Sequence, residues 1–248
     1  MAGETRLVMG MPVTVEIAGR AHDALFEAVF AHFAAVDARF SLYRPGSEIC
    51  AINAGRVALS EASEAMREVL AIAERTKLET GGFFDVRRAD GGLDPSGIVK
   101  GWAIRDAAAM LRAAGAMDFY VDAGGDIQAS GKAPGGADWR AGIRNPFNAR
   151  EIVKAVTLGD GAIATSGTYA RGAHIYDPHR QSHDIGGVVS LSVLARDILE
   201  ADRFATAAFA MGAKGIYFIE ARPGLEGYAV DAHGVATQTT GFGAYVAT

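Results

Sequence analysis

Apolar and polar residues alternate near the start of the chain, with Val13, Val15 and Ile17 separated by Thr14 and Glu16. That period of two predicts a half-buried strand. The period then changes. Leu25, Phe26, Val29, Phe30, Phe33, Val36 and Phe40 recur at helical spacing and predict an amphipathic helix over 23–40 with an aromatic inner face, the mark of core packing. Residues 41–53 read as a polar loop or short turn. A second helix is expected to start at Ser60, with Glu61 and Glu64 in its first turn, and to end at Gly81-Gly82. A third runs from Ile98 to Gly115. Beyond it the pattern is mostly of strands with glycine turns: 119–122, 127–130, 139–143, 152–158 and 188–195. A helix over 200–211 follows, then short strands at 216–219 and 227–230. Neighbouring strands without an intervening helix argue for an α+β fold with largely antiparallel pairing, not a doubly wound sheet. No linker and no short-period repeat interrupts the chain, so residues 1–248 are expected to form one domain.

Composition narrows the chemistry. Half of the 248 residues are apolar, enough for a sizeable core, and the net charge of −5 gives no broad footprint for nucleic acid. An anionic ligand must then be neutralised locally, by a metal, a few cations or backbone N–H groups. Cys50 is the only cysteine, which excludes an internal disulfide and a thiolate zinc cluster. No apolar run is long enough to span a bilayer, and the first fifteen residues lack the pattern of a signal peptide. The simplest location is the cytoplasm, or the periplasm if a leader has been removed.

The common nucleotide and hydrolase motifs are missing: no P-loop, no Rossmann glycine fingerprint, no H-E-x-x-H and no G-x-S-x-G. His174, His179 and His183 have partly zinc-like spacing, but their segment is turn-like and has no cysteine nearby. Five segments remain as candidates. Asp122-Ala123-Gly124-Gly125-Asp126 follows an apolar strand; its glycines permit a tight turn whose N–H groups would face an anion, though an ordinary β-turn has the same sequence. Asp94-Pro95-Ser96-Gly97-Ile98-Val99-Lys100 leads into a helix, where Lys100 in the first turn is electrostatically awkward without an anion to meet it. Thr165, Ser166 and Gly167 offer hydroxyls for phosphate or ribose, or an ordinary Ser/Thr turn. His174, beside Asp177, has the pKa range of a general base. Asp202 and Thr206, four apart on a helix, share a face and are both hard oxygen donors suited to Mg²⁺, although a helix's first turn reads the same way.

In order along the chain, these segments resemble the ApbE family of FAD:protein FMN transferases. They are Met9-Gly10-Met11, the FSLYRPGSEICAIN stretch at 40–53, TGGFFD at 80–85, DPSGIVKGW at 94–102, VDAGGDI at 121–127, ATSGTY at 164–169, HIYDP at 174–178 and ADRFATAAFAMG at 201–212. The resemblance implies T-fold-like halves with an FAD cleft between them. It implies Mg²⁺ held by Asp202, Thr206 and the main-chain carbonyl near Gly97, with FAD as the substrate. FAD contacts would come from Met9, Ser41, Tyr43 (by the adenine), Asp85, Lys100, Asp122, Gly124, Gly125, Thr165, Ser166 and Gly167. His174 would be the base. The partner would be a flavoprotein whose threonine receives FMN, with AMP released. The same site with water as acceptor would be an FAD diphosphatase, and without catalysis a flavin-binding protein. The chain departs from the family pattern at Met11, where a threonine is usual, and in residues 179–183, which replace an R-T-G-x-P stretch. It departs also at Arg203, where a small residue is common, so that Arg203 either points outward or alters the site.

Overall fold

The computed structural model describes residues 2–19, 23–168, 175–180, 182 and 185–247. The chain opens with a hairpin, β1 (Ala2–Val8) and β2 (Met11–Ile17), turned at Met9 and Gly10, both at positive φ. Helix α1 (Asp23–Phe40) has the predicted bounds, and Phe26, Phe30, Phe33 and Phe40 are all buried. The expected loop after it contains a short helix, α2 (Glu48–Asn53), capped by the buried Ser47, whose hydroxyl accepts the Cys50 N–H. Helix α3 (Glu64–Glu79) starts later than predicted because Ser63, not Ser60, is its cap, accepting the Met66 N–H at 3.2 Å. Helix α4 (Ser96–Ala113) then leads to a second hairpin, β3 (Phe119–Ala123) and β4 (Asp126–Ser130).

A two-stranded ribbon, β5 (Arg140–Asn145) and β6 (Asn148–Thr157), stands apart from the main sheet. After it come β7 (Ala162–Gly167), β8 (Val188–Ala195), helix α5 (Ile198–Ala210), helix α6 (Gly215–Glu220), β9 (Glu226–Asp231) and β10 (Ala236–Gln238). One expectation is corrected. Residues 216–219, read as a strand, lie in α6, where Ile216 and Ile219 are buried one helical turn apart. Thr165, Ser166 and Gly167, for which an ordinary Ser/Thr turn was the alternative to a ligand site, form the end of β7, a central strand paired with β8.

Eight strands make one antiparallel sheet in the order β1-β2-β3-β4-β7-β8-β9-β10. The fold is α+β, as expected, and the sheet divides into two runs built alike: two strands, helices, two strands. The larger core lies between the sheet and the helices. A smaller core on the opposite side gathers Trp139, Ile143, Val156, Tyr228 and Phe242 beneath the ribbon.

The two runs meet at β4 and β7, which pair only at Ile127↔Ile163 and Gln128↔Ala162. Buried Gln128 pins this seam to the start of α5, accepting the Ile198 N–H at 2.9 Å and donating to the carbonyls of Ala129 and Gly161. Where the ladder stops, the Asp126 carboxylate takes over and accepts the Thr165 N–H at 3.0 Å. The seam therefore opens at Asp126, satisfied by a side chain where a strand would otherwise continue.

Candidate active site

The opening leads into a cavity of about 820 Å³. Its walls come from the β1–β2 and β3–β4 turns, the loop before α4, the first turn of α4, the ends of β5 and β7, and the inner face of α5. Asp85, Gly97, Lys100, Asp122, Gly124, Gly125, Thr165, Ser166, Gly167, Asp202 and Thr206 all line it. Residues more than a hundred positions apart thus converge as the sequence suggested.

Helices α4 and α5 cross at the cavity floor. Gly97 and Gly101 of α4 face Thr206 and Asp202 of α5, each pair four residues apart and so on one helix face. A β-carbon on Gly101 would lie 2.8 Å from Asp202 Cβ and 3.0 Å from Leu199 Cα. Glycine is what lets the helices approach this closely. The Gly101 N–H, the natural helical partner of the Gly97 carbonyl, donates to Asp202 Oδ2 at 2.7 Å.

Lys100 is the cation among these carboxylates. Its Nζ lies 2.5 Å from Asp126 Oδ2 and 3.4 Å from Asp202 Oδ1. Asp126 Oδ2 is buried and, despite the ion pair, makes no hydrogen bond of good geometry. The anion that the helix-start lysine required is thus supplied from within, by two buried carboxylates. Burial pushes the Asp202 carboxyl well above the usual carboxylate range, and neighbouring Asp126 pushes the same way; Lys100 and the Gly101 N–H oppose them. Burial also raises Asp122, against the pull of the Gly125 N–H. Around the cavity, carboxylates of Asp85, Asp94, Asp122, Asp126 and Asp202 outnumber the cations Arg88, Lys100 and Arg144.

This donor set fits a hard divalent cation: a carboxylate held by a backbone N–H, a hydroxyl one turn along and the main chain of Gly97 facing it, all in an acidic cavity. The glycine turn plays a different part from the one expected. Gly124 and Gly125 have the positive φ of a tight turn, but the Gly124 N–H donates to Pro12 O and the Gly125 N–H to Asp122 Oδ1. The turn contributes open space, with no atom within 4 Å of a β-carbon on Gly125, and not free donors for an anion.

Other expected residues lie elsewhere. Tyr43 is 96% exposed, and its N–H donates to Ser41 Oγ; neither side chain lines the cavity. Met9 forms the β1–β2 turn next to the lining residues Gly10 and Met11. Asp85 lines the cavity while paired with Lys77 at 2.7 Å. Arg203 does not point outward: it is 3% exposed and lies away from the cavity, bound by Glu79, Glu200 and the Thr76 hydroxyl, with its guanidinium over the Phe204 ring. His174 and His183 lie outside the described residues. His179 packs on Phe83 and bonds the Gly81 carbonyl at 3.0 Å, and no group of three His, Cys, Asp or Glu poised for a metal occurs among the described residues.

Asp126 was missed by the sequence reading, although it closes the glycine turn that was singled out. A carboxylate between a positive-φ turn and an apolar strand is a usable signal, because the strand that follows carries it into the interior. Arg88, Arg144 and Tyr176 also line the cavity; Tyr176 belongs to the HIYDP stretch, while nothing in the local sequence marks Arg88 or Arg144.

The family model described as the ApbE family matches residues 9–90 and 86–229. The chain belongs to the ApbE family. It is 35% identical over 129 residues to the FAD:protein FMN transferase of Vibrio cholerae, covering 48% of this chain and 39% of that protein. It is 39% identical over 142 residues to the protein of the same name from Rhodobacter capsulatus, covering 54% of this chain and 27% of that one. The matched part of this ApbE-family chain is thus less than half the length of either relative. The fold agrees over nearly the whole chain. The flavin transferase ApbE from Vibrio cholerae superposes with a TM-score of 0.85 at 24% identity, covering 98% of each chain. The ApbE protein from Thermotoga maritima superposes with a TM-score of 0.85 at 21% identity, covering 100% of this chain and 99% of that one. No helix among the described residues is long and apolar enough to cross a membrane.

Proposed function

We propose that the chain is a Mg²⁺-dependent FAD:protein FMN transferase, cleaving FAD and joining FMN through a phosphoester to a threonine of an acceptor flavoprotein. The observation that carries this reading is the meeting of Gly97 and Gly101 with Thr206 and Asp202 at the floor of the seam cavity, beside Lys100. Family membership and the names of the relatives support the choice of flavin chemistry.

Asp202, Thr206 and the Gly97 carbonyl would hold the metal. Bound there, Mg²⁺ would neutralise the pyrophosphate oxygens and stabilise the departing AMP. Lys100 adds a positive charge against the same oxygens. The open glycine turn at Gly124-Gly125 gives the flavin room, while Thr165 and Ser166 present hydroxyls along the wall. The acceptor threonine oxygen forms a bond to the FMN phosphorus as the bond to the AMP oxygen breaks. The threonine proton passes to His174, a role taken from the resemblance. Residues 1–248 act as one unit in this reading, since Lys100 comes from one run of the sheet and Asp202 from the other.

The test is to incubate the chain with FAD, Mg²⁺ and an acceptor flavoprotein. Flavin fluorescence that survives denaturation on the acceptor, with AMP released in equal amount, is the expected result. FMN and AMP without labelling would assign the cavity to a diphosphatase, and intact bound FAD would leave only a binding protein.

A further inference from the structure

The ribbon β5–β6 has a surface that neither the core nor FAD chemistry explains. Strand alternation puts Ala141 and Ile143 in the smaller core and turns Arg140, Gly142 and Arg144 outward. Gly142 and Arg144 form part of the cavity wall, so the outer face of the ribbon runs continuously into the reaction site. Ile152 lies on that face opposite Arg144, and its side chain covers Gly142, within 2.8 Å of where a β-carbon would be. Ile152 is nevertheless 54% exposed, and Phe147 at the ribbon tip is 58% exposed. Residues 140–157 carry four cations, Arg140, Arg144, Arg150 and Lys154, against the single carboxylate Glu151, in a chain whose net charge is −5. Among the described residues, no strand pairs with the far edge of β5.

Large apolar side chains set among arginines are the composition of a protein-binding hot spot, not of a solvated surface. The far edge of β5, which no described strand covers, adds main-chain donors and acceptors for an extended segment. We infer that the outer face of the β5–β6 ribbon docks the acceptor protein, through an extended acidic segment that carries its threonine past Phe147 and Ile152 to Gly142 at the cavity wall. The inference rests on the transferase reading and names the surface that selects the second substrate. The local cations set the sign: in an otherwise acidic molecule, an acidic segment is drawn to this ribbon and repelled elsewhere.

The experiment uses the full chain, FAD, Mg²⁺ and a purified flavoprotein acceptor domain whose threonine is flanked by acidic residues. Three proteins are compared: wild type, Phe147→Ala/Ile152→Ala, and Arg150→Glu. Transfer is followed as covalent flavin fluorescence against acceptor concentration, and FAD cleavage is followed separately without acceptor. The expected result is a KM for the acceptor raised about tenfold in either variant, with kcat and acceptor-free cleavage unchanged. Raising the salt concentration should weaken acceptor binding in wild type more than in Arg150→Glu. Unchanged acceptor KM in both variants overturns the docking surface and leaves the transferase reading intact. An equal loss in acceptor-free cleavage also overturns it, because the ribbon would then be shaping the FAD site. A wild-type chain that labels no acceptor overturns the transferase reading and the inference with it.

Discussion

Helices α1 and α5 each follow a pair of strands at the start of one run of the sheet, yet they bury different things. Helix α1 keeps to one apolar stripe, with Phe26, Val29, Phe30, Phe33, Val36 and Phe40 inward and charged residues such as Glu27 outward. Helix α5 buries eleven of its thirteen residues, Asp202 and Arg203 included. It packs against α4, α6, β7 and β8, and its one partly exposed charge, Glu200, is turned to Arg203. Its two adjacent charges point to opposite sides: Asp202 into the cavity beside Gly101 and Lys100, Arg203 away from it toward Glu79 and Glu200. The same position in a repeated architecture is a packing element in one run and a carrier of chemistry in the other. What separates them is whether buried charges have partners.

Removing the cavity-side charge should have the largest effect. Asp202→Ala takes away the carboxylate and frees the Gly101 N–H, and Mg²⁺-dependent release of FMN and AMP should fall by about 10³-fold, equivalent to about 4 kcal/mol. Wild type treated with a chelator should fall to the same level. Chromatography of the products checks both, and turnover that survives either treatment would remove Asp202 from the metal site. Arg203 tests the other side. Arg203→Met leaves Glu79 and Glu200 without the buried cation between them, with only the more exposed Arg75 and Arg222 nearby. Breaking a fully buried pair costs about 3–5 kcal/mol, and because these two carboxylates are about a third exposed, solvent screening lowers the expected loss to about 2 kcal/mol. Urea unfolding measures it. Adding Glu79→Gln and Glu200→Gln should restore much of the stability, with Mg²⁺-dependent turnover persisting throughout. Loss of turnover in a folded Arg203→Met protein would show that the two sides of α5 do not act separately.

The contrast also marks what was readable in advance. Helix α1 was legible residue by residue because a one-sided helix writes its burial as a period. Helix α5 was legible as a helix, but Arg203 was not: with burial all round, sequence position says nothing about which neighbour a charge will meet. Strand β7 was not predicted, because Thr165, Ser166 and Gly167 suit a turn or a ligand site equally by residue type, while their place in the sheet comes from long-range pairing with β8. The stretch 216–219 is equally at home in strand or helix by composition, and contact with β9 and α5 decides for helix. For the cavity, ordered motifs brought Lys100, Asp202 and the glycine turn together on the resemblance. Asp126 escaped because its importance lies in the β4–β7 seam, a pairing that no local pattern announces.

A smaller change tests whether the closeness of α4 and α5 matters in itself. Gly101→Ala adds one methyl where Asp202 Cβ and Leu199 Cα already stand at 2.8 and 3.0 Å. Overpacking of this kind costs about 1–3 kcal/mol. The lower end is expected in stability, since alanine favours helix over glycine by up to about 1 kcal/mol. The displaced Asp202 should nevertheless reduce turnover by roughly tenfold to a hundredfold. A variant with wild-type turnover and an intact fold would mean that the crossing tolerates a wider gap than its glycines imply.

The smallest effect concerns the proton on Asp202. Its carboxyl titrates higher in the folded chain than in the unfolded one, mainly because burial disfavours the charged form. A raised acid contributes stability below its unfolded pKa and loses that contribution as the pH rises through the folded value. The metal-free chain is therefore penalised in neutral and alkaline solution relative to acid by the cost of an ionised, buried Asp202. A divalent cation at Asp202 and Thr206 removes that cost, so the stabilisation it gives should grow with pH. Mg²⁺ should raise the melting temperature more at pH 8 than at pH 5, by an increment of about 2–4 °C for each kcal/mol relieved in a chain of this size. Asp202→Asn leaves an amide that does not ionise, and the pH-dependent part of the Mg²⁺ effect should vanish. Thermal melts of both proteins at both pH values, with and without Mg²⁺, decide it. An equal Mg²⁺ shift at the two pH values in wild type would mean that the metal is held by some other group, and that the charge on the inner face of α5 is matched by Lys100 alone.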